Sequence, residues 1–543
     1  MKYLIYFLIT LSPFIWSKQI NGNYFNAKMF LIYLISGLCV ASIAFFQKRS
    51  LKFQLPKAFQ ISILFFALYM LFKPALSHHF FSYFYIFKPM AFIAIAYFVA
   101  LSDLSLIENK YIQSIFSVLV CVLIGLHIFE IFDFRFIQGT LDHGQMLGTF
   151  GNVNMLSEFF ILFLPFIYIW TKQTEKFPQF LKYVALSLWV FIIIYTRSRS
   201  SWIGLALFIA FVLFRNFNKK DLFSFSIGLL LYIACLVLPT TKESFVDKDK
   251  QNSFHERISL YKSAVQMMVD HPMGMGLGTF VNELIPYRLH QDYKPSEFEY
   301  ADQPHSEILK WGVQFGWTGF LLSLGILGYI FIQLLRTKND FLFSFLLTLM
   351  PQIFFQFPFE NPMGILLIGI FTGLWLKTKS QTIDQTANWK LKTALGIISI
   401  FAVVHSFIFI SSIVIESQFF KDEKKTSLMC SIYPVNHRNC NFKNVLLLEK
   451  NAMTQFRVEL KNELEFSYLT SDLQRILPIY FQRNKDEKHL CESLLIYKMM
   501  YPKQKYFNPQ DLEFCSKYTS PIQYQNPIQF RSDYKNWIEG FFL

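Results

Sequence analysis

Long apolar stretches separated by short polar ones run from the N-terminus to about residue 415, and a more evenly mixed pattern follows. The apolar stretches cover roughly 3–16, 28–46, 57–72, 80–101, 112–133, 153–170, 180–196, 201–214, 222–240, 317–335, 340–356, 362–376 and 393–415. Each is long enough, or nearly so, to cross the ~30 Å of hydrocarbon in a bilayer. There a spanning backbone must satisfy its own hydrogen bonds, and a helix does so within one segment. The pattern predicts an all-α polytopic membrane helical bundle of about 12–13 spans, with a large periplasmic loop and a helical C-terminal periplasmic domain. The segments at 3–16, 201–214 and 362–376 are the short ones. Ile15-Trp16-Ser17-Lys18 lacks the small residues of a signal-peptide cleavage site, so the first segment reads as an uncleaved helix.

The chain accordingly divides into an N-terminal transmembrane block (1–240), a loop (241–316), a second transmembrane block (317–415) and a tail (416–543). Loops this long are functional or disordered more often than merely connecting, and this one carries pattern. From Glu256 to Asp270, Ile258, Tyr261, Val265 and Met268 recur every three to four residues, the spacing of one face of an amphipathic helix. Such a helix is either packed in the protein or laid on the membrane with a charged residue turned inward, and the two are compatible. Pro272, Gly274, Gly276 and Gly278 then end it and supply tight turns. In the tail, Asn451–Leu469 and Lys488–Met500 are helix-like, giving a plain helical domain or a tetratricopeptide-like pair of hairpins.

Composition agrees with a chain dissolved mostly in lipid: 53% of residues are hydrophobic and 16% charged. The net charge of +14 does not point to nucleic acid, because the basic residues are scattered over short loops rather than gathered in one stripe. They follow topology instead. With the N-terminus in the cytoplasm, the inner loops hold Lys48, Arg49 and Lys52, then Lys172 and Lys176, Arg215 and Lys219, Arg336 and Lys338, and Lys377 and Lys379. This positive-inside bias places 241–316 and everything after 416 in the periplasm, across a bacterial inner membrane. Cys39, Cys121 and Cys235 fall in spans as packing residues, whereas Cys430, Cys440, Cys491 and Cys515 fall in the tail. An oxidising compartment permits disulfides among those four; sequence leaves the pairing open, with Cys430–Cys440 and Cys491–Cys515 as the neighbouring choice.

No zinc-protease motif, nucleophile elbow or P-loop is present, and Gly274-Met-Gly-Leu-Gly278 follows a helix rather than a strand, against dinucleotide binding. The chemistry-bearing residues lie at the outer edge of the spans. Thr196-Arg-Ser-Arg-Ser-Ser-Trp202 puts two arginines between apolar segments on the side that positive charge avoids. Snorkelling would account for them, and so would an anion. Arg257 opens the amphipathic helix, and Asp302-Gln-Pro-His-Ser-Glu307 precedes the next span. Arginine pairs bidentately with phosphate, and imidazole accepts a hydroxyl proton near neutral pH. Together they suggest a phosphate-containing donor and a hydroxyl acceptor; a metal held by Asp302, His305 and Glu307 is the competing reading.

These residues resemble the O-antigen ligase superfamily, which includes O-antigen ligases, O-antigen polymerases and protein O-oligosaccharyltransferases. Gly148-Thr-Phe-Gly-Asn-Val-Asn154 resembles its Gly-x-Phe-Gly-Asn-x-Asn pattern, and Thr196–Trp202 its Ser-Arg segment. Arg257 through Gly278 resembles its helix, Asp-x-Pro and Gly-x-Gly turn. Pro304-His-Ser-Glu-Ile-Leu, with Gly312 and Gly316-Trp-Thr-Gly319, resembles its His-Asn-x-x-Leu signature, although Ser306 stands where Asn is usual. Gln356-Phe-Pro-Phe-Glu-Asn-Pro362 resembles a short outer loop near the family's active site. The resemblance implies a membrane glycosyltransferase whose Arg199 and Arg257 hold the donor diphosphate and whose His305 orients or deprotonates the acceptor hydroxyl. By position it adds Arg197, Asn154 and Glu307 to substrate binding. It implies no cofactor and no metal, and as partners a polyprenyl-diphosphate-linked glycan, membrane lipids, and an acceptor that is lipid A core, glycan or protein. The periplasmic tail leans toward a protein or otherwise elaborated acceptor. A transporter or flippase of the same lipid-linked oligosaccharide is the rival, but its charges belong near mid-membrane. An inactive scaffold is a third reading, opposed by intact Arg199, Arg257 and His305.

Overall fold

The computed structural model describes residues 1–15, 25–46, 49–53, 56–57, 60–61, 64–65, 68–69, 86–102, 110–131, 149–150, 152–173, 178–215, 218–237, 249–289, 303–336, 339–384, 389–417, 471–500 and 513–542. Among these, α1 (Lys2–Leu11), α2 (Phe25–Phe46), α3 (Phe87–Leu101), α4 (Lys110–Ile131), α5 (Val153–Gln173), α6 (Gln179–Tyr195), α7 (Arg199–Arg215) and α8 (Lys219–Val237) form the first run. Then come α9 (Asp249–Asp270), α10 (Phe280–Arg288), α11 (Glu307–Arg336), α12 (Asp340–Phe355), α13 (Pro362–Thr378) and α14 (Trp389–Ser417). The tail contributes α15 (Ser471–Arg483), α16 (Glu487–Met500) and α17 (Pro527–Phe542). Within the described residues the expected spans coincide with helices; 57–72, 80–101, 112–133 and 222–240 are described only in part. Among the described residues, four helices, α2, α5, α11 and α14, are long and apolar enough to cross a membrane by themselves. Shorter apolar helices of 10–17 residues stand beside them. The protein is a helical, multi-pass membrane bundle.

The chain folds as two compact units. The first comprises Met1–Ile63, Phe87–Asp247 and Leu324–Ser417; the second comprises Leu64–Ile86, Lys248–Ser323 and Gln418–Leu543.

In the first unit α14 packs along α2, α13 along α3, α8 along α6 and α12 along α7. Small residues permit close approach, as expected where lipid supplies no hydrophobic drive between helices. A Cβ on Gly228 would lie 2.7 Å from the Ser187 carbonyl oxygen, and one on Gly373 2.5 Å from that of Ala96. Polar contacts sort the loops into two sets. Lys172 donates to Asp221 at 2.6 Å, Arg215 pairs with Asp340 at 2.7 Å, and Lys377 donates to the Ser102 carbonyl at 3.0 Å. Two short strands, β1 (Arg49–Phe53) and β2 (Ser380–Asp384), pair antiparallel, with Arg49 opposite Asp384. This ribbon is an addition to the all-helical expectation, and it joins two loops that charge had placed on the same side. The other set holds Lys28 donating to the Ile15 carbonyl at 2.8 Å, Asn361 donating to Glu158 at 2.9 Å, and the Lys88–Glu360 ion pair. None of these contacts mixes the loops that the basic residues assign to opposite faces.

In the second unit α10 serves two cores. Phe280, Leu284 and Tyr287 pack with Leu260, Ala264, Met267 and Met268 of α9, while Ile285 and Leu289 pack against the tail core of Leu477, Phe481, Tyr497, Phe530 and Tyr534. Arg531 of α17 pairs with buried Glu283 at 2.7 Å, and Tyr524 donates to the Pro286 carbonyl at 2.9 Å. Cys491 and Cys515 are disulfide-bonded; Cys430, Cys440 and the Asn451–Leu469 stretch lie outside the described residues.

Two expectations are corrected here. The buried face of α9 is Leu260, Ala264, Met267 and Met268 with Ser259 and Ser263; of the expected Ile258–Tyr261–Val265–Met268 stripe, Met268 is buried, Ile258 and Tyr261 are half-buried and Val265 is exposed. The buried side packs against Phe280, Leu284 and Tyr287 of α10 and Val313 of α11. The span expected from residue 317 belongs to a helix that begins at Glu307 and breaks at Gly316, where φ is 68° and ψ −160°.

Candidate active site

The loop between α9 and α10 explains the run Asp270-His-Pro-Met-Gly-Met-Gly-Leu-Gly278. After α9 ends, the Met275 N–H donates to the Val313 carbonyl at 2.8 Å and the Gly276 N–H to that of Gln314 at 3.0 Å. In return the Trp317 N–H donates to the Pro272 carbonyl at 3.0 Å. The break in α11 frees these groups, and the glycine turn satisfies them. Side chains have no room: a Cβ on Gly274 would lie 2.4 Å from the Gln314 carbonyl oxygen, and one on Gly316 1.9 Å from that of Pro272. The turn therefore ties the C-terminal end of α9 to α11, the helix that His305 precedes.

His305 has φ of 51°, the left-handed region that non-glycine residues seldom occupy. Among the described residues Arg197 (φ 55°) and Lys485 (φ 59°) share it, but each follows the end of a helix, where such a cap is common. His305 instead precedes one. Backbone strain without a capping explanation costs about 1–3 kcal/mol and concentrates at functional sites. The Tyr261 hydroxyl, one turn beyond Arg257 on α9, holds the strained residue by donating to the His305 carbonyl at 3.1 Å. Burial, and then the nearby Arg257 guanidinium, push the His305 imidazole down to about 4. It is thus a neutral base beside a cation. Burial raises the Tyr261 phenol and Arg257 opposes the rise, so the phenol stays a hydrogen-bond donor.

Ser306 caps α11: its hydroxyl accepts from the Leu309 N–H at 3.4 Å and its carbonyl from the Lys310 N–H at 2.9 Å. Ser and Asn serve equally well at an N-cap, so the departure from the His-Asn pattern keeps the helix start intact. Glu307 is buried and paired with Lys310 at 3.4 Å. That pairing engages the carboxylate the metal reading needs; Asp302 lies outside the described residues, and among the described ones no cluster of metal-binding side chains forms.

The remaining sequence-selected residues belong to the first unit. Arg197 and Arg199 flank the turn between α6 and α7, with Arg199 exposed at the first position of α7. The turn is braced by the Trp202 indole, which donates to the Ile194 carbonyl at 3.1 Å, and by Ser200, which donates to Gln352 at 3.1 Å and accepts from Gln356 at 3.4 Å. A cation at a helix N-terminus opposes the helix dipole, whereas an anion there is favoured by both. Asn154 sits in the first turn of α5, whose N-cap is Asn152, accepting from the Asn154 N–H at 2.8 Å. One turn further, Glu158 receives Asn361, which also caps α13 through the Met363 N–H at 3.2 Å.

The structure therefore brings Arg257 and His305 together in one unit and places Arg197, Arg199 and Asn154 in the other. Sequence reasoning gave no bracing role to Tyr261, Gln352, Glu158 or Asn361. Tyr261 had a local signal, its position four residues after Arg257 on a helix, and Asn361 lay within the Gln356–Pro362 motif.

A family model described as O-antigen ligase matches residues 184–324. The match contains Arg197, Arg199, Arg257, His305 and Glu307; Asn154 lies before it. No curated protein matches the chain. The glycine turn and the arginine–histidine pair fall on that segment, and this part of the chain is similar to the O-antigen ligase family.

Proposed function

We propose that the protein transfers an oligosaccharide from a polyprenyl diphosphate to an acceptor hydroxyl at the periplasmic face of a bacterial inner membrane. The observation that carries this reading is the neutral imidazole of His305 beside the Arg257 guanidinium, held by Tyr261. In the reaction the acceptor oxygen bonds to the anomeric carbon while the bond from that carbon to the diphosphate breaks. His305 takes the hydroxyl proton, and the electron pair leaves with polyprenyl diphosphate. Arg257 and Arg199 neutralise the charge that accumulates on the diphosphate oxygens, with Arg197, Asn154 and Glu307 shaping substrate binding. Losing one preorganised charge of this kind costs about 10²- to 10³-fold in rate. No step needs a nucleotide, cofactor or metal. The Cys491–Cys515 bridge supports an oxidising compartment for the tail, and the basic loops of the opposite face support a cytoplasmic side there.

The test is glycan transfer in proteoliposomes charged with a native pool of polyprenyl-diphosphate oligosaccharide, with lipid A core, glycan and a Ser/Thr-rich protein offered separately. Wild type is compared with His305→Ala, Arg257→Ala and Arg199→Ala at equal folded amounts. Transfer that collapses in the variants supports the reading, and the labelled product names the acceptor. If wild type labels none of the three, or the variants keep pace with it, transport of the lipid-linked oligosaccharide becomes the better account.

A further inference from the structure

The correction of the α9 face leaves an apolar surface unused. Leu260, Ala264, Met267 and Met268 point into the protein, yet Val265 and Val269 are 44% and 54% exposed, and Met273 in the following turn is 62% exposed. The exposed residues of the helix fall in two adjacent rows: His255, Lys262 and Gln266, which donates to Asp270, are polar, and Val265 and Val269, leading to Met273, are apolar. The C-terminal end of α9 adjoins a membrane span. The Trp317 N–H donates to the Pro272 carbonyl, and Trp317 (40% exposed) and Leu321 (62% exposed) begin the outward side of α11 after its break. A second tie leads the same way: Tyr69, from the apolar run 57–72, donates its hydroxyl to the Met273 carbonyl at 2.6 Å.

We propose that the C-terminal half of α9 and the Pro272-Met273 turn are immersed in the membrane interface, with Val265, Val269 and Met273 in the headgroup–acyl boundary and Lys262 among the headgroups. The partner is the lipid surface itself. The Trp317–Pro272 hydrogen bond joins the exposed apolar turn to α11, a candidate span whose Trp317 and Leu321 are exposed. Tryptophan at the start of a span marks the interfacial level, and Lys262 is placed to snorkel outward. Membrane-surface helices are held in this way, by apolar residues on one side and cations at the headgroups. The inference rests on the span assignment of α11 and not on the transfer chemistry. It would give the loop that carries Arg257 a fixed depth.

Single nitroxide labels at Val265, Val269, Met273, Lys262 and His255 test it. The full-length protein is used, with cysteines outside the Cys491–Cys515 bridge replaced by alanine, in phosphatidylethanolamine–phosphatidylglycerol vesicles. Leu321 serves as the lipid reference and Lys488 in the tail as the water reference. Collision rates with oxygen and with a neutral nickel chelate are read for each. Immersion makes the oxygen-to-nickel ratio at 265, 269 and 273 several-fold higher than at 262 and 255, approaching that of Leu321. Ratios at 269 and 273 equal to that of Lys488 overturn the proposal, because the face is then in water. Labels inaccessible to both reagents also overturn it, because protein then covers the face. Should one label unfold the protein, the remaining two apolar positions decide.

Discussion

Gly316 and Pro272 meet backbone to backbone: the carbonyl of Pro272 accepts the Trp317 N–H at 3.0 Å, and a Cβ on Gly316 would lie 1.9 Å from that same oxygen. The contact works only because Gly316 holds φ 68° and ψ −160°, a conformation essentially reserved for glycine. It is where the glycine turn after α9 locks onto α11.

Gly316→Ala is therefore expected to cost about 2 kcal/mol or more, from strain and steric overlap together. Thermal unfolding in detergent checks this, with Gly325→Ala as control, since a Cβ there meets nothing within 4 Å. Equal melting temperatures for the two variants would remove the lock from the account.

The pH dependence of transfer follows from His305. Its imidazole is pushed down to about 4, so the acid limb of kcat/KM should fall near pH 4 rather than near the ordinary 6.5. Arg257→Gln removes the neighbouring cation and leaves the burial, so the limb should move upward while the rate drops. A limb that stays in place or moves down would mean that Arg257 does not act on His305. The fold favours the neutral ring, so its contribution to stability is complete above pH 6.5 and is lost as pH falls through about 4.

Tyr261→Phe removes only the hydroxyl that reaches the His305 carbonyl. A single net hydrogen bond is worth about 1 kcal/mol, so kcat should fall roughly 5- to 10-fold. KM for the donor should hardly change, because Arg257 is retained. If KM alone rises, Tyr261 belongs to donor binding and not to positioning His305.

Much of the bundle was legible because lipid imposes a length and an internal hydrogen-bond requirement on every span, and both are written in apolar runs. The glycines at 274, 276 and 278 announced turns for the same kind of reason, since they sit where a helical pattern stops. The buried face of α9 was not legible. Both of its long sides carry apolar residues, and which of them is buried depends on tertiary contacts with α10 and α11. Pairs such as Glu158 with Asn361, or Tyr261 with His305, depend on tertiary proximity that no spacing encodes.

The tail holds α10 through an ion pair between Arg531 and Glu283. Glu283 on α10 is buried and its carboxyl is pushed up to about 7, by burial first, with Arg531 pulling the other way. A raised carboxylate makes the fold more stable below its unfolded value near 4.5 and progressively less so as pH rises through 7. Arg531→Met strands the charge and should steepen that loss. Breaking a buried pair costs about 3–5 kcal/mol, and because the Arg531 side chain is 32% exposed, solvent screening reduces the expected effect to about 1–3 kcal/mol above pH 7. Lowering the pH toward 5 should recover most of it, because the stranded carboxylate then protonates. Glu283→Gln in the Arg531→Met background should make the variant insensitive to pH over this range. Unfolding midpoints measured at several pH values separate the cases: a deficit in Arg531→Met that does not change with pH would mean that packing, not the ion pair, joins α17 to α10.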